Sequence, residues 1–117
     1  MDIELEGPGA FAVDVVGEAQ YQDVLEAAGE AGAVVAAALV LEDSNPHDDR
    51  AVAVCIDGRR AGYLSRADAR RYRADLAAAG VPRAVVRCKA RITGGFARAG
   101  GGRAHFGLKL DLPNLTP

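Results

Sequence analysis

The sequence predicts a mainly β domain, a small antiparallel barrel of about six strands with two short flanking helices. Three observations lead there. Six short segments carry alternating or Val-rich apolar patterns. Asp57-Gly58 is a two-residue turn that forces its flanking strands to pair antiparallel. A helical pattern is inserted before the last pair of strands, an order that suits a closed or nearly closed barrel rather than a doubly wound parallel sheet.

Phe11 to Val16 reads as the first strand, broken by Gly17. Gln20 to Ala28 places Tyr21, Val24, Leu25 and Ala28 at helical spacing, and Gly29 and Gly32 end that helix. Ala33 to Leu41 is a continuous apolar run whose length and valines predict a strand buried on both faces. Glu42 to Asp49 is a loop of turn formers. Ala51 to Ile56 and Arg59 to Leu64 are strands joined by Asp57-Gly58, where both central turn residues need positive φ. Ser65 is a helix N-cap, with Asp68 three residues on as a capping-box variant. That helix runs to about Ala79, where Gly80 stops it and Pro82 follows. Val85 to Ile92 alternates, Thr93 to Gly102 is a glycine-rich connection, and Arg103 to Leu112 alternates again. Residues 1–10 are expected as a flexible N-terminus, 11–112 as a single domain and 113–117 as a loose tail.

A length of 117 residues suits one domain. Half the residues are hydrophobic, but many are alanine and there is no Trp. The core should therefore rest on Val, Leu, Ile, three Phe and three Tyr. No apolar run approaches the roughly 20 residues of a membrane span, and the acidic start is unlike a signal peptide. A cytoplasmic protein is expected, with Cys55 and Cys88 reduced. Both cysteines fall on the apolar side of alternating segments and read as buried small hydrophobes.

Charge is split along the chain. Met1 to Gly58 holds thirteen acids against one base, Arg50, while the rest holds thirteen bases against three acids. Such asymmetry points either to a polyanionic partner or to internal charge matching.

Catalytic signatures are missing. The two histidines, His47 and His105, sit in no nucleophile or Cys/His pattern, and there is no phosphate loop or GxGxxG. Gly94-Gly95 and Gly100-Gly101-Gly102 read as a flexible hairpin tip. The reading is a binding domain, not an enzyme, with no cofactor. Four carboxylates in Glu42 to Asp49 offer oxygens for a hard cation, but their spacing matches no EF-hand and no metal is assigned. In the basic half, Arg87, Lys89 and Arg91 alternate outward from Val86, Cys88, Ala90 and Ile92. Arg103, His105 and Lys109 alternate outward from Ala104, Phe106, Leu108, Leu110 and Leu112. On the second helix Arg66, Arg70 and Arg73 form a stripe fit for phosphates, beside the apolar stripe Ala69, Tyr72 and Leu76. Both basic sets could equally be solvated surface.

Val15-Val16-Gly17 followed by Tyr21, then Asn45-Pro46-His47-Asp48 with Ala51-Val52-Ala53-Val54, then Asp57-Gly58 and Gly62-Tyr63-Leu64, together resemble the HIRAN domain. The likeness runs from about Phe11 to Leu112, and the Asn-Pro-aromatic-Asp segment is its most specific part. It implies an OB-like barrel with flanking helices and a role in DNA repair. In helicase-like DNA-remodelling proteins the domain recognises the 3′-hydroxyl end of single-stranded DNA, and bacterial members also occur alone. By position, the likeness implies that Asp48 accepts a hydrogen bond from a terminal 3′-hydroxyl. His47, at the family's usual tyrosine position, would stack on a base. Asn45 would shape the loop and bond the terminal nucleotide. Tyr21 lies at the aromatic site after the first strand, with Gln20 beside it. Tyr63 and Arg66 fall where a polar aromatic and a phosphate-binding base are placed, and Arg70 continues the arginine stripe. Gly17-Glu18-Ala19-Gln20 stands where the DNA-binding members are basic and aromatic, which favours the alternative of a protein-interaction domain on the same fold.

Overall fold

A computed structural model describes residues 1–94 and 105–113. The glycine runs after Gly94, Arg103, Ala104 and the last four residues lie outside the described residues. The described chain forms β1 (Asp2–Glu4), β2 (Val13–Val16), a 3-10 turn (Glu18–Tyr21), α1 (Gln22–Ala28), β3 (Val34–Glu42), β4 (Ala51–Ile56), β5 (Arg59–Leu64), α2 (Arg66–Ala78), β6 (Val85–Gly94) and β7 (Phe106–Asp111). Strands β2 to β7 close a six-stranded antiparallel OB-like barrel in the order β6-β3-β4-β5-β2-β7, with β7 returning to β6.

Strand β6 is the seam. Its ten residues take β3 along one edge and share the other between β7, at Lys89 to Gly94, and β1, at Val85 to Arg87. β1 runs parallel to it. No element was expected in residues 1–10. The structure places β1 there, and it ties the following turn to the buried Asp111 through the Gly9 N–H, 3.0 Å from Oδ1.

Alternation decides what is inside. Val52, Val54, Ile56, Val86, Cys88, Ala90, Ile92, Leu108 and Leu110 fill the core. Helix α1 packs on β5 and β7 with Val24 and Leu25, and α2 packs on β4 and β5 with Ala69, Tyr72 and Leu76. Three sequence expectations are corrected. β3 is not buried on both faces: Ala37 and Leu39 are buried, while Val34 and Ala36 are exposed, because the barrel has one interior. Cys55 is only half-buried, since the inward set of β4 is Val52, Val54 and Ile56, and Cys55 pairs with Ala38 on the outside. The core is mostly aliphatic, with Tyr72 as its one fully buried aromatic among the described residues. No described helix is long and apolar enough to cross a membrane.

Candidate nucleic-acid interface

The loop between β3 and β4 folds around its own side chains. Asn45 Oδ1 accepts the His47 N–H at 2.9 Å and the Asp48 N–H at 3.3 Å, the turn that an Asn before Pro favours. Asp48 Oδ1 then accepts the Arg50 N–H at 3.0 Å, and its carbonyl accepts the Ala51 N–H at 3.1 Å. Asn45 and Asp48 are half-buried, and His47 is exposed.

Glu42, the last residue of β3, holds this loop to β5. Its Oε1 accepts the Tyr63 hydroxyl at 2.9 Å and the Asn45 side-chain amide at 3.0 Å, and its Oε2 accepts Arg60 Nε at 2.6 Å. The Glu42 side chain is 11% exposed. Burial opposes its ionisation, but hydrogen bonds from Tyr63, Asn45 and Arg60 outweigh burial and hold its carboxyl below the usual range. Burial and the Glu42 carboxylate together push the Tyr63 phenol upward.

Beside this network lies a shallow concavity of about 350 Å³. Gln20, Tyr21, Asn45, His47, Asp48, Tyr63 and Arg66 all line it, bringing seven of the eight residues singled out from the sequence into one place. The 3-10 turn supplies Gln20 and Tyr21, the loop supplies Asn45, His47 and Asp48, β5 supplies Tyr63, and the first turn of α2 supplies Arg66. Arg66 Nε stands 3.9 Å from Asp48 Oδ2. Glu18 does not line the concavity; its Oε2 is buried.

Arg70 does not reach the concavity, because its guanidinium turns back to the Arg66 carbonyl at 3.5 Å. The proposed arginine stripe is broken further at Arg73. That side chain clamps α2 to the loop, with Nε on the Arg50 carbonyl, Nη2 on the Ala51 carbonyl and Nη1 on Asp43, each at 2.8 Å. Two residues that build the site have another place in the sequence reading: Glu42 stands there as one of four loop carboxylates able to offer oxygen to a hard cation, and Arg60 as a residue of the hairpin's return strand.

The outward bases of β6 and β7 do not converge on Asp48 either. Arg87 pairs with Asp2 at 3.5 Å, Lys109 pairs with Asp14 at 3.5 Å, and Arg91 lies 4.2 Å above the Phe11 ring. Of eight ion pairs among the described residues, seven join a base after Gly58 to an acid before it. The charge asymmetry of the chain is thus in large part matched internally. The loop carboxylates go to separate partners: Glu42 to Arg60, Asp43 to Arg73 and Arg83, Asp48 to Arg66. Accordingly, no group of three or more His, Cys, Asp or Glu among the described residues is arranged to hold a metal.

No protein family, curated protein or solved structure matches this chain.

Proposed function

We propose that this chain is a non-catalytic, HIRAN-like module that binds single-stranded DNA by its 3′-hydroxyl end in the concavity beside Asp48. One observation carries the reading: residues chosen from three separate stretches of sequence, Gln20-Tyr21, Asn45 to Asp48 and Tyr63 to Arg66, line one depression. The chemistry fits the ligand. Asp48 Oδ2 accepts from a hydroxyl and repels a phosphate in the same position. Tyr21 and His47 offer ring faces for a base. Arg66, 72% exposed, is free to turn from Asp48 toward an internucleotide phosphate.

Fluorescence anisotropy on 5′-labelled strands ending in 3′-hydroxyl or 3′-phosphate tests this. The hydroxyl-ended strand should bind tighter by about 10-fold or more, the worth of a hydrogen bond to a charged group. Asp48→Ala should erase that preference while the protein keeps a cooperative melt. Equal or undetectable binding to both strands would sink end recognition.

A second reading, a protein-interaction domain, is favoured by the internal pairing of the bases: among the described residues, seven of the eleven bases after Gly58 pair with acids before it. Recovery of one protein in a pull-down after nuclease treatment, with no salt-sensitive binding to DNA, would support it instead.

A further inference from the structure

We propose that the concavity grips its terminal sugar through two hydroxyls, so that a strand ending in a ribose 2′,3′-diol is its preferred ligand. The inference rests on the reading that Asp48 receives a 3′-hydroxyl, and it follows from counting protons around Glu42.

Glu42 is ionised at neutral pH, because three hydrogen bonds outweigh the effect of burial on its carboxyl. An ionised carboxylate has no proton to give. The 2.9 Å contact between Glu42 Oε1 and Tyr63 Oη therefore uses the single phenolic proton of Tyr63. Burial and Glu42 both raise the pKa of that phenol, so the proton stays on it. The Tyr63 hydroxyl is then left with lone pairs alone for any further partner. Glu42 acts as a positioning residue: it makes an otherwise ambivalent hydroxyl an acceptor.

Asp48 supplies a second acceptor. Its Oδ1 is occupied by the Arg50 N–H, and at 3.9 Å Arg66 stands beyond hydrogen-bond reach of Oδ2. The Asp48 side chain is 17% exposed and lines the concavity, which leaves Oδ2 as its uncommitted acceptor there. Asn45 offers no competing acceptor, since its Oδ1 is taken by the His47 and Asp48 N–H groups. Asp48 and Tyr63, the two residues that carry these acceptors, line the same depression. A matching ligand end brings two hydroxyl hydrogens on neighbouring atoms. A deoxyribose end brings one, a ribose end brings two, and a 3′-phosphate sets its charge against Asp48.

The test uses four labelled strands of one sequence that differ in the last sugar: ribose with a 2′,3′-diol, 2′-deoxyribose, 2′-O-methylribose with a free 3′-hydroxyl, and 2′,3′-dideoxyribose. Anisotropy on the whole chain should rank the diol about fivefold above deoxyribose, the worth of one neutral hydrogen bond. The 2′-O-methyl end, which keeps the ribose pucker but has no 2′ proton, should behave like deoxyribose, and the dideoxy end should bind weakest. Tyr63→Phe should bring the diol-to-deoxy ratio to one and leave the deoxy-to-dideoxy ratio unchanged. Equal binding of diol and deoxy ends, with both above dideoxy, would overturn this inference and leave 3′-hydroxyl recognition standing. Equal binding of deoxy and dideoxy ends would overturn that reading itself. A diol preference that survives in Tyr63→Phe, or that the 2′-O-methyl end shares, would overturn the role given to Tyr63.

Discussion

Buried polar side chains must find partners or be tolerated without them, and this protein does both. Asp111 is 5% exposed, and its carboxylate accepts the Gly9 N–H at 3.0 and 3.1 Å and the Phe11 N–H at 3.4 Å. Gly9 and Phe11 adopt positive φ of 85° and 47°, which turns their N–H groups toward one anion. The strain at Phe11 is offset by those bonds and by Arg91 over its ring. Tyr72, by contrast, is 2% exposed, and its hydroxyl has no partner among the described residues. The two sites should respond oppositely in urea denaturation. Asp111→Ala should lower the unfolding free energy by about 2–3 kcal/mol, because the buried Phe11 N–H and the part-buried Gly9 N–H lose their charged acceptor. Tyr72→Phe should change it by less than about 0.5 kcal/mol or raise it, because an unmade hydrogen bond costs nothing to remove. A Tyr72→Phe loss as large as that of Asp111→Ala would mean the hydroxyl is partnered.

At the scale of elements, local chemistry sets boundaries and close packing sets the closure. Asp57 and Gly58 sit at φ 50° and 77°, as a two-residue hairpin of this hand requires. Ser65 caps α2 by accepting the Asp68 N–H at 3.1 Å. At the other end Val81 N–H reaches the Leu76 carbonyl at 2.9 Å and Gly80 N–H the Ala77 carbonyl at 3.0 Å, the paired bonds of a Schellman cap. Gly62 has a different reason for being glycine. A Cβ there would stand 2.8 Å from the Val16 carbonyl oxygen and run into the Val15 side chain, where β5 meets β2 to close the barrel. Gly62→Ala should therefore cost about 1–3 kcal/mol of stability through overpacking, read as a drop in thermal midpoint. It should also weaken binding in the concavity, because Tyr63 is the next residue. Gly62→Ala at wild-type stability would show that β2 moves freely against β5.

On the scale of the whole molecule, the opposed charges of the two halves meet within one barrel. Arg59 of β5 pairs with Asp23 of α1 at 3.0 Å, and Arg83 pairs with Asp43. Exposed pairs of this kind stabilise little, but they consume the cations that a polyanion would need. Among the described residues Arg66 is the one Arg or Lys that lines the concavity, so few counterions should be released on binding. The slope of log K against log salt for a single strand should lie near −1, about 0.7 for each phosphate neutralised. A slope of about −4 or steeper would mean that a broad basic face engages the ligand and that the ion pairs of β6 and β7 open to do so.

Residue pattern alone determined most of the architecture. Alternation placed Val86, Cys88, Ala90 and Ile92 inside and Arg87, Lys89 and Arg91 outside. Turn chemistry placed the Asp57-Gly58 hairpin and both ends of α2, because caps and primed turns depend on a few adjacent residues. The stretch holding Asn45, His47 and Asp48 was legible for the same reason, since an Asn before a Pro bends its own loop. Tertiary structure decided what depends on residues far apart in the chain. It turned Cys55 outward, sent Arg73 to the Asp43 loop instead of to solvent, and kept Arg70 away from the concavity. It also made Glu42 the centre of the site. A glutamate at the end of an apolar strand says nothing by itself about Tyr63 and Arg60, which approach it only when the barrel closes.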